Sequence, residues 1–175
     1  MTAPAIRPLG PADASAYKRL RDACLLAAPE AFTSDHASEA LRGADSYAPR
    51  LAPPDTGQFT LGAFAADELI GAITCARERG AKNRHVAQVV GMMVLPRAQR
   101  GGVGAALVAR LTAQARALDG LDHLVLTVTA ANAHTVRLYE RAGYAAFGLH
   151  RRAIRVDGRY HDKLHMALDL HPLAA

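Results

Sequence analysis

The amino-acid sequence predicts a mixed α/β fold that forms one domain over residues 1–175. Half of the 175 residues are hydrophobic and 21% are charged, which suits one compact core and leaves no room for a second domain. Apolar residues recur with a helical period in some segments and with a period of two in others. Taken in order, these segments predict the succession β-α-(α)-β-β-β-α-β-α-β-β.

The first half of the chain predicts an edge strand, a long helix and a hairpin. Asp13 stands where an N-cap belongs, and the apolar positions after it recur at helical spacing as far as Pro29. From Phe59 onward the period is two, as in strands. The predicted elements are a strand at Ile6–Leu9, that helix, a short helix near Ser38–Arg42, a Pro/Gly-rich exit at Pro53–Gly57, and strands at Phe59–Ala65 and Leu69–Ala76.

The second half predicts alternating strands and helices followed by a second hairpin. Pro96 closes one strand, Asn132 is an N-cap, and Gly143 takes the position that follows a helix. The strand at Leu124–Thr129 is almost wholly apolar or β-branched, which predicts burial on both faces. The predicted elements are strands at His85–Leu95, Leu124–Thr129, Tyr144–Ile154 and Tyr160–Leu168, and helices at Gly102–Leu118 and Asn132–Ala142.

Composition excludes several classes of protein. No apolar run approaches the roughly 18–20 residues of a membrane span, and the first residues lack the features of a secretory signal. Cys24 and Cys75 lack CxxC spacing and fit free thiols in a reducing compartment. The eight His are scattered without metal-ligand spacing. We therefore expect a cytoplasmic protein with no metal and no membrane association.

The net charge of +5 lies entirely in the second part of the chain. Residues 1–96 hold ten basic and ten acidic residues, whereas residues 97–175 hold eleven and six. Arg outnumbers Lys 18 to 3, and Arg is the better bidentate partner for phosphate. This pattern indicates an anionic partner, although a biased genomic base composition explains the Arg excess equally well. No aromatic stacking motif accompanies the basic residues, so we do not expect a nucleic-acid partner.

A glycine-rich turn between a strand and a helix is the most informative segment. It reads Gln99-Arg100-Gly101-Gly102-Val103-Gly104-Ala105. Glycines at such a turn allow successive backbone N–H groups to approach an anion, and the helix N-terminus adds free donors. A glycine-rich helix start that binds nothing is the alternative.

The glycine-rich turn resembles the phosphate motif of the Gcn5-related N-acetyltransferase (GNAT) family, Gln/Arg-x-x-Gly-x-Gly/Ala. The downstream segment Asn132–Tyr144 resembles a second family motif, Asn-x-x-Ala-x-x-Leu-Tyr-Glu-x-x-Gly-Phe, with Val136 and Tyr144 as departures. The resemblance covers essentially the whole chain. It implies a single GNAT-like domain whose central, mostly antiparallel sheet contains a splayed pair of parallel strands.

The resemblance implies acetyl-CoA as co-substrate, bound between the splayed strands. Residues 97–175 would form the CoA-binding core and the last hairpin, and residues 1–96 mainly the acceptor side and the first half of the sheet. The pyrophosphate would lie on the amides of Arg100 to Ala105, and the pantetheine along the strand. The implied cofactor-binding residues are Met92, Met93, Val94, Gln99, Arg100, Gly101, Gly102, Val103, Gly104, Ala105, Asn132 and Tyr139.

The implied reaction is direct attack of a primary amine, from a small molecule or peptide, on the thioester. Tyr139 would be the catalytic general acid toward the departing thiolate, and a backbone N–H at Met93 or Val94 would stabilise the oxyanion. Packing of Tyr139 on the sheet is the alternative interpretation.

The general base stays open at the level of sequence. Thr127 and Gln88 stand where family members carry acidic residues, and neither side chain accepts a proton. The remaining candidates are a water chain and the side chains of His85, Glu78, Glu30 and Asp162, of which His85 has the most suitable ordinary pKa.

The acceptor site would come from Glu30–Arg50 and Arg155–His165. Phe32 and Tyr47 are candidates for its lining. Glu30, Asp35 and Glu39 are candidates for attracting a cation, although ordinary solvated side chains are the alternative. His161 and His165 share one strand face without a third metal ligand.

Two further functions remain alternatives: a non-catalytic acyl-CoA sensor of the same fold and an N-terminal protein acetyltransferase. The oligomeric state is open and includes a homodimer.

Overall fold

The computed structural model describes residues 4–51 and 57–171. Seven strands form one sheet in the order β1-β2-β3-β4-β5-β7-β6, in which only β4 and β5 are parallel neighbours. The strands are β1 (Ala5–Pro8), β2 (Gln58–Ala65), β3 (Glu68–Arg77), β4 (Val86–Val94), β5 (His123–Thr129), β6 (Ala145–Val156) and β7 (Arg159–Asp169). The helices are α1 (Ala14–Ala27), α2 (His36–Ala40), α3 (Val103–Arg116) and α4 (Ala133–Arg141). The predicted mixed α/β domain is confirmed.

The core lies on both faces of β3. Residues Leu69 to Cys75 are buried without interruption, which requires cover on each face of the sheet. On one face Gly71 approaches Val103 and Leu107 of α3, and on the other α1 packs against β3 and β4. The two helices therefore enclose the middle of the sheet and leave the C-terminal end of β4 free to form a site.

The predicted N-cap position of α1 is confirmed, whereas the predicted burial of both faces of β5 is wrong. Asp13 is the N-cap residue of α1, but its carboxylate accepts a hydrogen bond from Gly10 N at 2.8 Å and pairs with Arg7 instead of capping a helix amide. In β5 only one face is fully buried. Thr127, on the other face, is exposed and lines a cleft between β4 and β5. The predicted exit at Pro53–Gly57 lies outside the described residues except for Gly57.

The described ranges contain no membrane-spanning helix and no group of metal ligands, and both cysteines there are free. No helix there is long and apolar enough to cross a membrane. No three His, Cys, Asp or Glu side chains in those ranges are grouped to hold a metal ion. Cys24 and Cys75 are both free and buried.

Candidate active site

The sheet opens between its two parallel strands. β4 and β5 pair only where Val86–Gln88 lie opposite His123–Val125. Beyond this point both strands continue without pairing to each other, and both line a cleft of about 690 Å³. The separation exposes backbone groups of β4 that a neighbouring strand would otherwise use.

A β-bulge bends β4 at the cleft. Gly91 and Met92 together lie opposite Ile73, because β3 pairs with β4 at Thr74↔Val90 and then at Ala72↔Met93. Gly91 has φ +61°, and a Cβ there would lie 3.3 Å from the Tyr17 hydroxyl. The bulge redirects the end of β4 away from β5, which is a common use of bulges beside active sites.

The glycine-rich turn presents a row of free amides. Arg100 and Gly102 have φ +63° and +80°, and α3 begins at Val103. Among the described residues, no backbone carbonyl accepts a hydrogen bond from an amide between Arg100 and Ala105. These N–H groups and the positive end of the helix dipole form a site suited to an anion.

Helix α4 brings a buried phenol to the cleft. The Asn132 side chain accepts a hydrogen bond from Thr135 N at 3.1 Å, which confirms the predicted N-cap. Two turns later, Tyr139 is buried and packs edge-on against Tyr144 with ring centroids 5.5 Å apart. Within the described residues its hydroxyl has no hydrogen-bond partner, although it lines the cleft. Burial raises the pKa of Tyr139, so the phenol stays protonated.

The segment of residues 29–34 contributes Ala31, Phe32, Thr33 and Ser34 to the wall of the cleft. Lys163 of β7 donates to Ala31 O at 3.1 Å and to Thr129 Oγ1 at 2.9 Å. Thr129 Oγ1 in turn donates to Glu30 O at 2.6 Å. At the other end of this wall, Arg21 donates to Ser34 Oγ at 2.8 Å. Long-range hydrogen bonds therefore fix a segment that has little regular structure.

A protein-family model described as the acetyltransferase (GNAT) family matches residues 20–144, which include the bulge, the glycine-rich turn and α4. The chain belongs to the GNAT acetyltransferase family.

Curated relatives match part of this GNAT chain. A mycothiol acetyltransferase from Salinispora tropica and another from Salinispora arenicola are each 37% identical to it over 97 residues. The match covers 55% of this chain and 31% of each relative, so the chain spans about a third of the length of the curated relatives.

Solved structures share the fold over nearly the whole chain. A GNAT-family acetyltransferase from Streptococcus pneumoniae has a TM-score of 0.86 at 22% identity, covering 95% of this chain and 99% of its own. The yncA protein of Salmonella typhimurium, solved with its cofactor acetyl-CoA, has a TM-score of 0.85 at 22% identity, covering 99% and 98%. At these identities the likeness shows the GNAT fold.

The structure brings most of the predicted cofactor-binding residues of the GNAT domain to one cleft. Gly101 does not line it, and the Val103 side chain is buried in the core. Those that line it are Met92, Met93, Val94, Gln99, Arg100, Gly102, Gly104, Ala105, Asn132 and Tyr139.

The side chains predicted to attract a cationic acceptor lie elsewhere. Tyr47 is buried in the core and donates to Glu39 at 2.6 Å, and Glu39 also pairs with Arg21. Asp35 is the N-cap of α2. Of the predicted acceptor residues named individually, Phe32 alone lines the cleft, among the residues that the structure describes.

None of the four candidate bases has its side chain on the cleft wall. His85 is exposed just before β4, at the end of the strand where β5 still pairs. Glu78 accepts from Gln88 at 3.3 Å and lines a separate depression of about 760 Å³ near Gly120. Asp162 accepts from the Arg152 amide at 2.8 Å, and Glu30 contributes its carbonyl to the Lys163 contacts. These positions depend on strand pairing that sequence spacing does not reveal.

Sequence reasoning did not single out several basic residues that line the cleft. Arg50 and Lys163 lie within the predicted acceptor ranges Glu30–Arg50 and Arg155–His165, whereas Arg21 of α1 and His134 and Arg141 of α4 lie outside them. A buried lysine has no local sequence signature, because its burial arises from pairing between distant strands.

His165 lies opposite Thr127 and stacks on His150 with ring centroids 6.4 Å apart.

Proposed function

We propose that this protein is an acetyl-CoA-dependent acyltransferase that transfers an acetyl group to a primary amine of a small molecule or peptide. The observation that carries this proposal is the cleft between β4 and β5, which has free amides at one end and the unpartnered Tyr139 hydroxyl on its wall. A thioester bound along β4 would meet both features.

The cleft fits the phosphate and pantetheine parts of acetyl-CoA. The free amides of Arg100, Gly102, Gly104 and Ala105, the residues of this turn that line the cleft, suit a pyrophosphate. A Cβ on Gly102 would meet nothing within 4 Å, so the backbone on that side is open to a ligand. The unpaired edge of β4 offers the pantetheine amides a strand to extend, and Asn132 lines the same cleft.

The strand register favours Val94 over Met93 as the oxyanion donor. Leu95 N donates to Ile70 O at 2.9 Å, so the pair Ile70–Leu95 is hydrogen-bonded. Bonded and non-bonded pairs alternate in an antiparallel ladder, so the N–H and C=O of Val94 point away from β3 toward the cleft. The Gln99 side chain donates to Val94 O at 3.1 Å and holds this peptide in place.

In the proposed reaction, the lone pair of the neutral amine forms an N–C bond to the thioester carbonyl. The oxyanion accepts a hydrogen bond from Val94 N–H, and its collapse breaks the C–S bond. The departing thiolate takes a proton from the Tyr139 hydroxyl. Burial raises the pKa of Tyr139 and keeps the phenol protonated, so its hydroxyl can donate to the sulfur as negative charge develops there.

We assign removal of the amine proton to water in the cleft. The side chains of His85, Glu78, Glu30 and Asp162 do not line it, and Thr127, which does, has no basic group. His134 also lines the cleft, but it belongs to α4, on the side where we propose that acetyl-CoA binds. The proton of the attacking amine then passes to bulk solvent, and solvent later restores the proton on Tyr139.

A thiol-release assay with acetyl-CoA and a panel of amines tests this function. Tyr139→Phe keeps the ring that packs on Tyr144, so we expect normal thermal unfolding and a loss of about 10²-fold or more in kcat. Tyr144→Phe is the matched control, because Tyr144 is equally buried but does not line the cleft. Equal activity of the two variants would refute the role of Tyr139.

The same assay separates the alternatives. Binding of acetyl-CoA without thiol release from any amine would support a non-catalytic sensor, which the lack of a carboxylate among the described cleft-lining residues favours. Activity confined to peptides with free N-termini would identify an N-terminal protein acetyltransferase.

A further inference from the structure

The charge of the cleft wall is one-sided. The basic residues that line it are Arg21, Arg50, Arg100, His134, Arg141 and Lys163. Over residues 4–51 and 57–171, no Asp or Glu lines it. The Arg and Lys side chains make the described wall positive, so the electrostatic field favours anionic ligands.

The basic residues form two groups on different elements. Arg100 belongs to the glycine-rich turn, and His134 and Arg141 lie on α4, where the proposed acetyl-CoA site is. Arg21, Arg50 and Lys163 come from α1, the segment before β2, and β7. We call this second group the acceptor-side cations. Like Phe32 and Thr129, they line the cleft from elements other than the glycine-rich turn and α4, where we propose that acetyl-CoA binds.

Lys163 is a buried cation without an ion-pair partner. It is 5% exposed, and its ammonium donates to neutral oxygens of Ala31 and Thr129, with a longer contact to Glu30 O at 3.5 Å. Burial lowers the pKa of Lys163, and the Glu30 carboxylate, which opposes this shift, forms no ion pair with it. A buried charge that only neutral groups solvate retains an unsatisfied preference for an opposite charge.

The other two acceptor-side cations differ in whether a carboxylate neutralises their charge. Arg50 is half-buried and forms no ion pair among the described residues. Arg21 is compensated, because Glu39 Oε2 lies 2.6 Å from its Nε. Among the described residues, Arg50 and Lys163 are therefore the acceptor-side cations that have no ion-pair partner, and both can attract an anionic ligand.

We propose that the acceptor is an amine that also carries a carboxylate or a comparable oxyacid group, as a free amino acid does. This inference rests on the proposed function and names the substrate class of the same site. The anionic group lies toward Arg50 and Lys163, and the amine faces the thioester. Polyamines and other polycationic amines are then poor acceptors, contrary to the expectation that Glu30, Asp35 and Glu39 attract a cation.

The test compares acceptors of different charge, with methionine and methioninamide as the matched pair. Methionine, methioninamide, 3-(methylthio)propylamine and putrescine are assayed by thiol release from acetyl-CoA at one pH. We expect kcat/KM for methionine to exceed that for methioninamide by about 10- to 100-fold, the range of a charge-assisted hydrogen bond. The amide has an amine pKa near 8 and is the more deprotonated of the two, so amine basicity works against the expected result.

Variants locate the preference. Arg50→Gln should raise KM for methionine about 10-fold and leave KM for methioninamide unchanged, and Lys163→Met should raise KM for methionine about 10-fold more than KM for methioninamide. Arg110→Gln, on the exposed surface of α3 and away from the cleft, is the matched control and should change neither. Lys163→Met removes contacts that position residues 30 and 31. If Lys163→Met does not fold, the comparison is made with Arg50→Gln alone.

The outcomes distinguish failure of the acceptor inference from failure of the proposed acetyltransferase function. If methioninamide or putrescine is acetylated as well as methionine, the inference is overturned while the acetyltransferase function stands. If Arg50→Gln raises KM equally for methionine and its amide, the residue does not recognise the anion and the inference is again overturned. If no amine releases thiol, the proposed function itself fails and the inference fails with it.

Discussion

Replacement of Glu39 by Gln should destabilise the protein far more than the same replacement at the surface. The Glu39 carboxylate accepts hydrogen bonds from Arg21 Nε and Tyr47 Oη, both at 2.6 Å, and from Arg42 at 3.2 Å. Arg21 and Glu39 have side-chain exposures of 7% and 9%. Glu39→Gln leaves a buried guanidinium without a counter-charge.

The magnitude follows from the environment of the pair. Loss of one partner from a buried ion pair costs about 3–5 kcal/mol. The Gln carbonyl still accepts one hydrogen bond, which offsets about 1 kcal/mol. We therefore expect the free energy of unfolding to fall by about 2–4 kcal/mol. Glu68→Gln is the matched control, because Glu68 pairs with Arg97 where both side chains are more than half exposed, and it should cost about 0–1 kcal/mol.

Urea unfolding at several pH values checks this prediction. Burial would raise the pKa of Glu39, but hydrogen bonds from Arg21 and Tyr47 and the nearby positive charges outweigh it and lower the pKa to about 2. A pKa lowered by folding stabilises the protein above the unfolded value of 4.5, and this stabilisation disappears as the pH falls toward 2. The gap between wild type and Glu39→Gln should therefore be full at pH 7 and shrink between about pH 4.5 and 2. Equal effects of Glu39→Gln and Glu68→Gln at pH 7 would refute the reasoning.

Three further predictions concern the backbone, the thiols and the core. Gly102→Ala and Gly158→Ala both place a Cβ at φ near +80° in open space, so each should cost about 1–2 kcal/mol, while Gly102→Ala alone should raise KM for acetyl-CoA. Burial raises the pKa of Cys24 to about 11 and that of Cys75 to about 12, so both thiols should react with a disulfide reagent at pH 7.5 only after denaturant is added. Leu111→Ala removes a fully buried side chain and should lower the free energy of unfolding by about 2–5 kcal/mol in urea titrations.

Much of the fold could be predicted from sequence because its signals are local. Turn glycines, periodicity and the Asn132 cap depend on neighbours within a few residues, and the structure places α3, α4 and the hairpins within a few residues of the predictions. The glycine-rich turn was equally predictable, since Gly102 takes the left-handed conformation that its position before the helix requires.

The acceptor side could not be predicted, because its contacts connect distant parts of the chain. Glu39 was expected to face a ligand, yet it is neutralised by Arg21, 18 residues away. Lys163 reaches Ala31 across 132 residues, and only the β5–β7 pairing and the path of residues 29–34 bring them together. A carboxylate and a lysine look alike in sequence whether they face solvent or a buried partner.

The same long-range contacts connect the stability network to the proposed acceptor side of the cleft. Residues 29–34 are held at one end by Lys163 and at the other by Arg21 through Ser34. Arg21 is itself oriented by Glu39, so Glu39→Gln loosens the acceptor wall from a position outside the cleft. The glycine-rich turn is anchored separately, through Gln99 and the start of α3. If the cleft works as two independently held halves, Glu39→Gln raises KM for the amine and leaves KM for acetyl-CoA unchanged.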